Sequence, residues 1–158
     1  MWLSLDNHKE THTTDYLNLQ AVKSEANWQQ LFDHRKKVEV AFGVTDQNLL
    51  DKFDKDMQNK SIKLDGKWFL AYHNNKQVGA IGYIPFMFEG NKIARLQDVD
   101  ILPKHQGKGF GNMLLKSILY HLTQKGFGSV CLMAKTDDWP KDWYLKNGFT
   151  KCGTYIRS

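Results

Sequence analysis

At 158 residues, 41% hydrophobic and 13% aromatic, the chain fits one compact domain with a single sizeable core, and its length leaves no room for a second. The formal charge of +5 is uneven: residues 1–80 carry 11 Lys/Arg against 11 Asp/Glu, whereas residues 81–158 carry 11 against 6, so an anionic ligand would favour the second half. No run of about 18 apolar residues occurs and the first residues lack a signal-like apolar stretch, which excludes a membrane-spanning helix and predicts a cytoplasmic protein.

A polar leader, residues 1–14, precedes YLNLQAV, whose alternation predicts a strand near Asp15 to Val22. Ser24 offers an N-cap to a helix carrying Trp28, Leu31, Phe32 and Val38, which Gly43 ends before a second start at Thr45 or Asp46. The following helix is expected to show Leu49, Leu50, Phe53 and Met57 on one face. KWFLAY, the turn HNNK and QVGAIGYIPFMF read as a hairpin, with Pro85 near an irregularity or edge. A turn at Glu89, Gly90 and Asn91 leads into the strand KIARLQDVDIL. Phe110, Leu114, Leu115, Ile118, Leu119 and Leu122 then trace the apolar stripe of a helix ending at Gly126. SVCLMAKT reads as a strand, DWPKDWYLKNG as a short helix and FTKCGTYI as a final strand. The order β, α, α, β, β, β, α, β, α, β predicts an α/β domain, a mixed sheet covered by helices on both faces. Cys131 and Cys152 lack paired spacing and read as buried thiols, and no His/Asp spacing suggests a metal site.

Between the KIARLQDVDIL strand and the striped helix lies QGKGFG, with glycines at three alternate positions. A strand, a glycine turn and a helix N-terminus aim unpaired backbone N–H groups at one point, where the helix dipole adds positive character, so phosphate is the natural occupant. A Walker A loop needs GxxxxGK followed by Ser or Thr, which is absent, and the dinucleotide fingerprint GxGxxG has the wrong spacing. The pattern Q/R-x-x-G-x-G/A is matched completely by Gln106, Gly107, Lys108, Gly109, Phe110 and Gly111. With DVDILP before it, an amphipathic helix after it and WYLKNGF closing the segment, the chain resembles the GNAT superfamily of acyl-CoA-dependent N-acyltransferases over most of its length. The resemblance implies the GNAT fold, a mixed, mostly antiparallel sheet, and acetyl-CoA as acyl donor without a metal. It implies that residues 106–111 hold the donor's pyrophosphate and that backbone groups near Ile101 and Leu102 pair with the pantetheine arm.

Acyl transfer from a thioester to an amine needs a neutral amine, a polarised carbonyl and a proton for the departing thiolate. Tyr144 in WYLKNGF falls where relatives commonly carry the tyrosine that protonates the sulfur; the alternative is a core aromatic on a short helix. Asp98 and Asp100 are two apart on one strand, so without a bulge both project from one face, about 7 Å apart. Either could accept the amine's proton, Asp98 first, or the pair could be an ordinary acidic pair satisfied by Lys or Arg. Asp137 stands where many relatives have an Asn that helps hold the donor, and an acid there departs from the pattern.

Relatives usually carry two strands after the short helix, and only FTKCGTYIRS follows Gly148. The leader MWLSLD, or the same segment of a partner chain in a homodimer, is expected to take the free place beside the last strand. The sequence therefore predicts an N-acetyltransferase acting on an amine of a small molecule or protein, with a non-catalytic acyl-CoA-binding sensor as the alternative. Nucleic-acid binding gains little, because the basic charges are scattered and no nucleic-acid motif occurs.

Overall fold

A computed structural model of the chain describes residues 1–5, 16–133 and 139–151. Six strands form one sheet: β1 (Trp2–Ser4), β2 (Asn18–Ala21), β3 (Lys67–His73), β4 (Lys76–Phe88), β5 (Asn91–Ile101) and β6 (Ser129–Cys131). Their spatial order is β1-β6-β5-β4-β3-β2, with only β5 and β6 parallel. The β3–β4 hairpin turns on Asn74 and Asn75, both at positive φ, as the side-chain-tolerant left-handed turn requires. Pro85 lies past the end of β3's pairing, which stops at Tyr83, so its missing N–H faces no ladder there.

The helices are α1 (Glu25–Ala41), α2 (Gln47–Lys63), α3 (Phe110–Gln124) and α4 (Trp139–Lys146). Ser24 caps α1 in a capping box with Asn27, and Asp46 caps α2 by accepting from the Asn48 and Leu49 amides. β3 is buried on both faces, and its alternation divides the core. Phe69 and Ala71 join the α3 stripe, Leu114, Leu115, Ile118 and Leu122, together with Tyr144 and Phe149. Trp68 and Leu70 face the other way, against Leu31 of α1. Burial of these side chains supplies the main stabilising force, roughly 1.5–3 kcal/mol for each large apolar one.

The buried face of α2 differs from the expected one. Leu50, Asp54 and Ser61 are buried, whereas Leu49 and Phe53 are each 40% exposed. Polar residues take the inner face because each has a partner there: Asp54 lies 3.5 Å from Arg35, and Ser61 Oγ accepts from Trp68 Nε1 at 2.8 Å. β1 lies between β6 and Thr150: Trp2 opposes Cys131 on one side and exchanges two backbone hydrogen bonds with Thr150 on the other. The continuation of the leader, the end of SVCLMAKT and residues 152–156 of the expected final strand lie outside the described residues.

Two irregularities of β5 shape the region around its C-terminal end. Its parallel pairing with β6 covers Ile93, Ala94 and Arg95 among the described residues. On its other edge the register with β4 shifts between Gly82, opposite Gln97, and Ala80, opposite Asp100, so Asp98 and Val99 together face Ile81 alone. β4 carries glycines on this stretch because its neighbours come very close: a Cβ on Gly82 would lie 2.5 Å from the Trp68 ring. Gly82→Ala should therefore lower stability by about 1–3 kcal/mol through overpacking, read as a fall in urea midpoint at unchanged m; an unaltered midpoint would show that Trp68 shifts freely.

Candidate active site

The strand β5 hands over to a one-turn 3-10 helix, Pro103–His105, and then to residues 106–111 and the start of α3. Gly107 and Gly109 have φ of 77° and 84°, values open to glycine at little cost, and Gly109 is the N-cap of α3 without any side-chain cap. The first amides of α3 have no partner within the helix, so the N-terminus presents N–H donors and the positive end of the dipole outward. Gln106 folds back to donate from Nε2 to the Ile101 carbonyl at 3.1 Å, which ties the loop to the end of β5.

At the C-terminal end of β5 a cleft of about 760 Å3 opens, running from Asp100 and Ile101 past the glycine loop to Trp143 of α4. Val38 and Phe42 of α1 close it from the other face of the sheet. Trp143 Nε1 donates to Asn112 Oδ1 at 2.6 Å, joining α4 to the first turn of α3. Lys104 and Lys108 flank the loop end: partial desolvation, then these two lysines and Lys76, hold the half-buried His105 imidazole below its usual value. The described loop end is thus basic, in line with the charge excess of the second half.

The opposite end is acidic and holds two unequal carboxyls. Asp98 has φ 38°, unusual for a residue with a side chain, is exposed, and does not line the cleft. Its carboxylate pairs with Arg35 Nη1 of α1. Asp100 does line the cleft, and burial, then Asp98 and Glu39, push its carboxyl up to about 7 against the opposing pull of Arg35. The bulge removes the alternation that the sequence suggests, so the two acids are not equivalent neighbours on one face.

Tyr144 is 9% exposed and packs against Phe149 and Trp143, with ring centroids 5.4 and 4.9 Å away. Burial, then Asp100 and Asp98, push its phenol up to about 12, so it stays protonated throughout neutral pH. Ile101 lines the cleft, whereas Leu102 is buried, its N–H donating to Val78 and its carbonyl accepting from His105. Phe110 and Gly111 line the cleft with Gln106, Gly107 and Gly109, while Lys108 lines a smaller hollow of about 280 Å3 on the β3–β4 side. Asp137 lies outside the described residues. Among the described residues no three His, Cys, Asp or Glu side chains group as metal ligands, and no helix is long and apolar enough to cross a membrane.

The sequence alone does not assign Arg35, Val38, Phe42, Asn112 or Trp143 to the site. Arg35 sits in the basic run HRKK, and nothing in that run shows that it and His34 are turned into the protein while Lys37 stays exposed. Val38 does show as an apolar helix position, although periodicity does not say which neighbour it meets.

The protein-family model for the acetyltransferase (GNAT) domain matches residues 65–151. No curated protein matches the sequence significantly. Among solved structures, one assigned as an acetyl transferase from Pyrococcus furiosus superposes with a TM-score of 0.71 at 15% identity, over 89% of this chain and 99% of that one. One assigned as an acetyltransferase from Clostridium acetobutylicum, solved with acetyl-CoA, gives 0.66 at 15% identity over 90% and 95%. An aminoglycoside acetyltransferase from an uncultured soil metagenomic sample, in complex with sisomicin, gives 0.65 at 18% identity over 91% and 95%. These likenesses show the fold.

His34 and Asp100 act on stability with opposite signs. Burial, with Arg35 and Lys37 adding, lowers the His34 imidazole from 6.5 to about 4. Between those values the unfolded chain binds a proton that the folded chain does not, so stability rises with pH. Asp100 is raised from 3.8 to about 7. There the folded chain holds the extra proton and stability falls as pH rises. Relative to wild type, Asp100→Asn should add a positive slope of up to about 1.4 kcal/mol per pH unit between about pH 4 and 7, and His34→Gln a negative one from about 4 to 6.5. Urea unfolding across this range checks both, and parallel profiles for all three proteins would sink the assignment.

Proposed function

Because the chain belongs to the GNAT acetyltransferase family, we propose that it is an N-acetyltransferase that moves an acetyl group from acetyl-CoA directly to an amine of a small molecule or protein. The observation that carries this reading is one continuous cleft that joins an amide-rich loop, with Lys104 and Lys108 beside it, to the half-buried carboxyl of Asp100. The residues fit the donor. Gly107 and Gly109 hold the backbone of the loop in left-handed turns, and a Cβ on Gly111 would meet only Trp143, at 3.6 Å, so the space before α3 suits a phosphate. Lys104 and Lys108 add long-range attraction for the anionic end. Ile101 offers strand backbone at the wall of the cleft beyond the β5–β6 pairing.

Asp100 is the residue we assign as general base. A carboxyl that titrates near neutrality is matched to taking a proton from an ammonium as the amine nitrogen bonds to the acetyl carbon. Tyr144, kept protonated at neutral pH, is the donor assigned to the sulfur as the carbon–sulfur bond breaks. The acceptor enters from the side of Val38 and Phe42, and the sisomicin complex of the soil enzyme illustrates an amine acceptor on this fold. Packing of Tyr144 under Trp143, outside the lining of the cleft, favours a second reading, an acyl-CoA-binding sensor without turnover.

Calorimetric titration with acetyl-CoA followed by turnover of an amine panel separates these readings. We expect binding, and a kcat/KM that falls about tenfold per pH unit below about pH 7 as Asp100 takes up its proton. Asp100→Asn should lower kcat by about 10²–10⁴-fold with donor affinity little changed. Donor binding without acetylation of any amine would establish the sensor, and no donor binding would remove both readings.

A further inference from the structure

β5 keeps a residue with a side chain at φ 38°, Asp98, in the middle of its bulge. Such a conformation costs free energy and persists where surrounding contacts hold it. The contact that holds Asp98 comes from Arg35. Its Nη1 pairs with Asp98 Oδ2, its Nε lies 3.5 Å from Asp54 Oδ1 of α2, and its guanidinium lies 6.0 Å from the centroid of the Trp68 ring. Trp68 is itself fixed through Nε1 to Ser61 of α2. The Arg35 side chain is only 13% exposed and that of Asp54 8%, so the cation is sheltered, while its partner Asp98, at 48%, lies at the edge of the solvent. One cation thereby connects α1 and α2 to the distorted strand two residues before Asp100.

We propose that Arg35 is a positioning residue for acyl transfer: by pairing with Asp98 it fixes the bulge of β5 so that Asp100, and not Asp98, presents its carboxyl to the cleft. The proposal rests on the acetyltransferase function proposed for the cleft, and gives Asp98 a backbone task in place of a proton-transfer one. Without the pair, Asp98 gains by leaving the left-handed region, the two-against-one register relaxes toward regular alternation, and Asp100 turns with it. Among the described residues the charged and titratable groups facing Asp100 are Asp98 on its own strand, Arg35 and Glu39 from α1, and Tyr144 from α4, while β4 opposes it with Ala80. Asp54 of α2 acts on Arg35.

Glycine at 98 separates this role from simple packing, since glycine adopts φ 38° without needing a partner. Arg35→Met, which keeps an apolar stem near Trp68, should lower kcat at least about tenfold while donor KM stays within about twofold. In an Asp98→Gly background the same replacement should lower kcat no more than about twofold. Equal losses in both backgrounds would mean that Arg35 only packs α1 against α2, and would overturn the proposal. A readout independent of turnover is the carboxyl 13C titration of Asp100 in the free protein, with circular dichroism confirming folding. Its midpoint should rise in Arg35→Met and fall in Asp98→Gly, whereas a midpoint unmoved in both overturns the proposal. If wild type binds no acetyl-CoA and acetylates no amine, the proposed function fails and this titration still decides whether Arg35 governs Asp100. If wild type turns over and Arg35→Met matches it in rate and midpoint, only the positioning role fails.

Discussion

The unequal pairing of β5's two edges is the constraint on which the rest of the molecule depends. Along one edge it is bonded to β4 from Asn91 to Ile101; along the other, β6 accompanies it for three residues among those described. Past Arg95 the described residues give that edge of β5 no β6 partner, and strand N–H and C=O groups are costly when removed from water without partners. The last residues of β5, Val99 to Ile101, lie at the wall of an open cleft. α3 packs against β4 and β5 through its apolar stripe, so its N-terminus is carried to the same cleft. The glycine loop and the end of β5 are therefore brought together by the packing of one helix on the sheet.

Charge is arranged along the cleft instead of being spread over the surface. One end has the backbone amides of the loop, with Lys104 and Lys108 just outside; the other has Asp100, with Asp98 behind it and outside the lining. Two adjacent carboxylates would repel, and burial of the second disfavours its ionised form, so the pair is tolerable because Arg35 neutralises the exposed one. Asp100 is left with an affinity for protons near that of the surrounding solution. The same burial and the same two acids keep the Tyr144 phenol protonated. An acid and a base of suitable character thus follow from one local field, provided that Arg35 stays in place.

Local signals are legible in the sequence and long-range ones are not. Ser24, Asp46 and Gly43 mark the helix boundaries of the first half because caps act through hydrogen bonds or backbone conformation within a few residues. QGKGFG and the apolar stripe after it are similarly self-contained. The buried face of α2 cannot be read from its own residues, because apolar spacing alone ranks Leu49 and Phe53 above Asp54 and Ser61, and only Arg35 and Trp68, distant in sequence, make the polar pair inward-facing. The bulge at Asp98 leaves only a faint sign: Gln97 and Asp98 are polar neighbours, so the apolar alternation of Ala94 and Leu96 resumes one residue out of phase at Val99 and Ile101, and the register shift itself appears only when β4, with its close-packed glycines, is laid beside β5.

The three glycines of the loop do not have the same cause. Gly107 and Gly109 are accounted for by the backbone, since each has positive φ while a Cβ on either would meet nothing within 4 Å. Gly111 is different: it is in the first turn of α3, has no positive φ, and a Cβ there would make one ordinary contact with Trp143. Inside a helix, alanine is the better residue by roughly 1 kcal/mol. Among the described residues nothing in the protein's own conformation accounts for forgoing that gain, whereas the donor site proposed above would. A group approaching the first amides of α3 from the cleft needs the volume a side chain would fill, and the tethering of Trp143 to Asn112 keeps that approach on one side. The glycine that folding does not need is thus the one that points to a ligand.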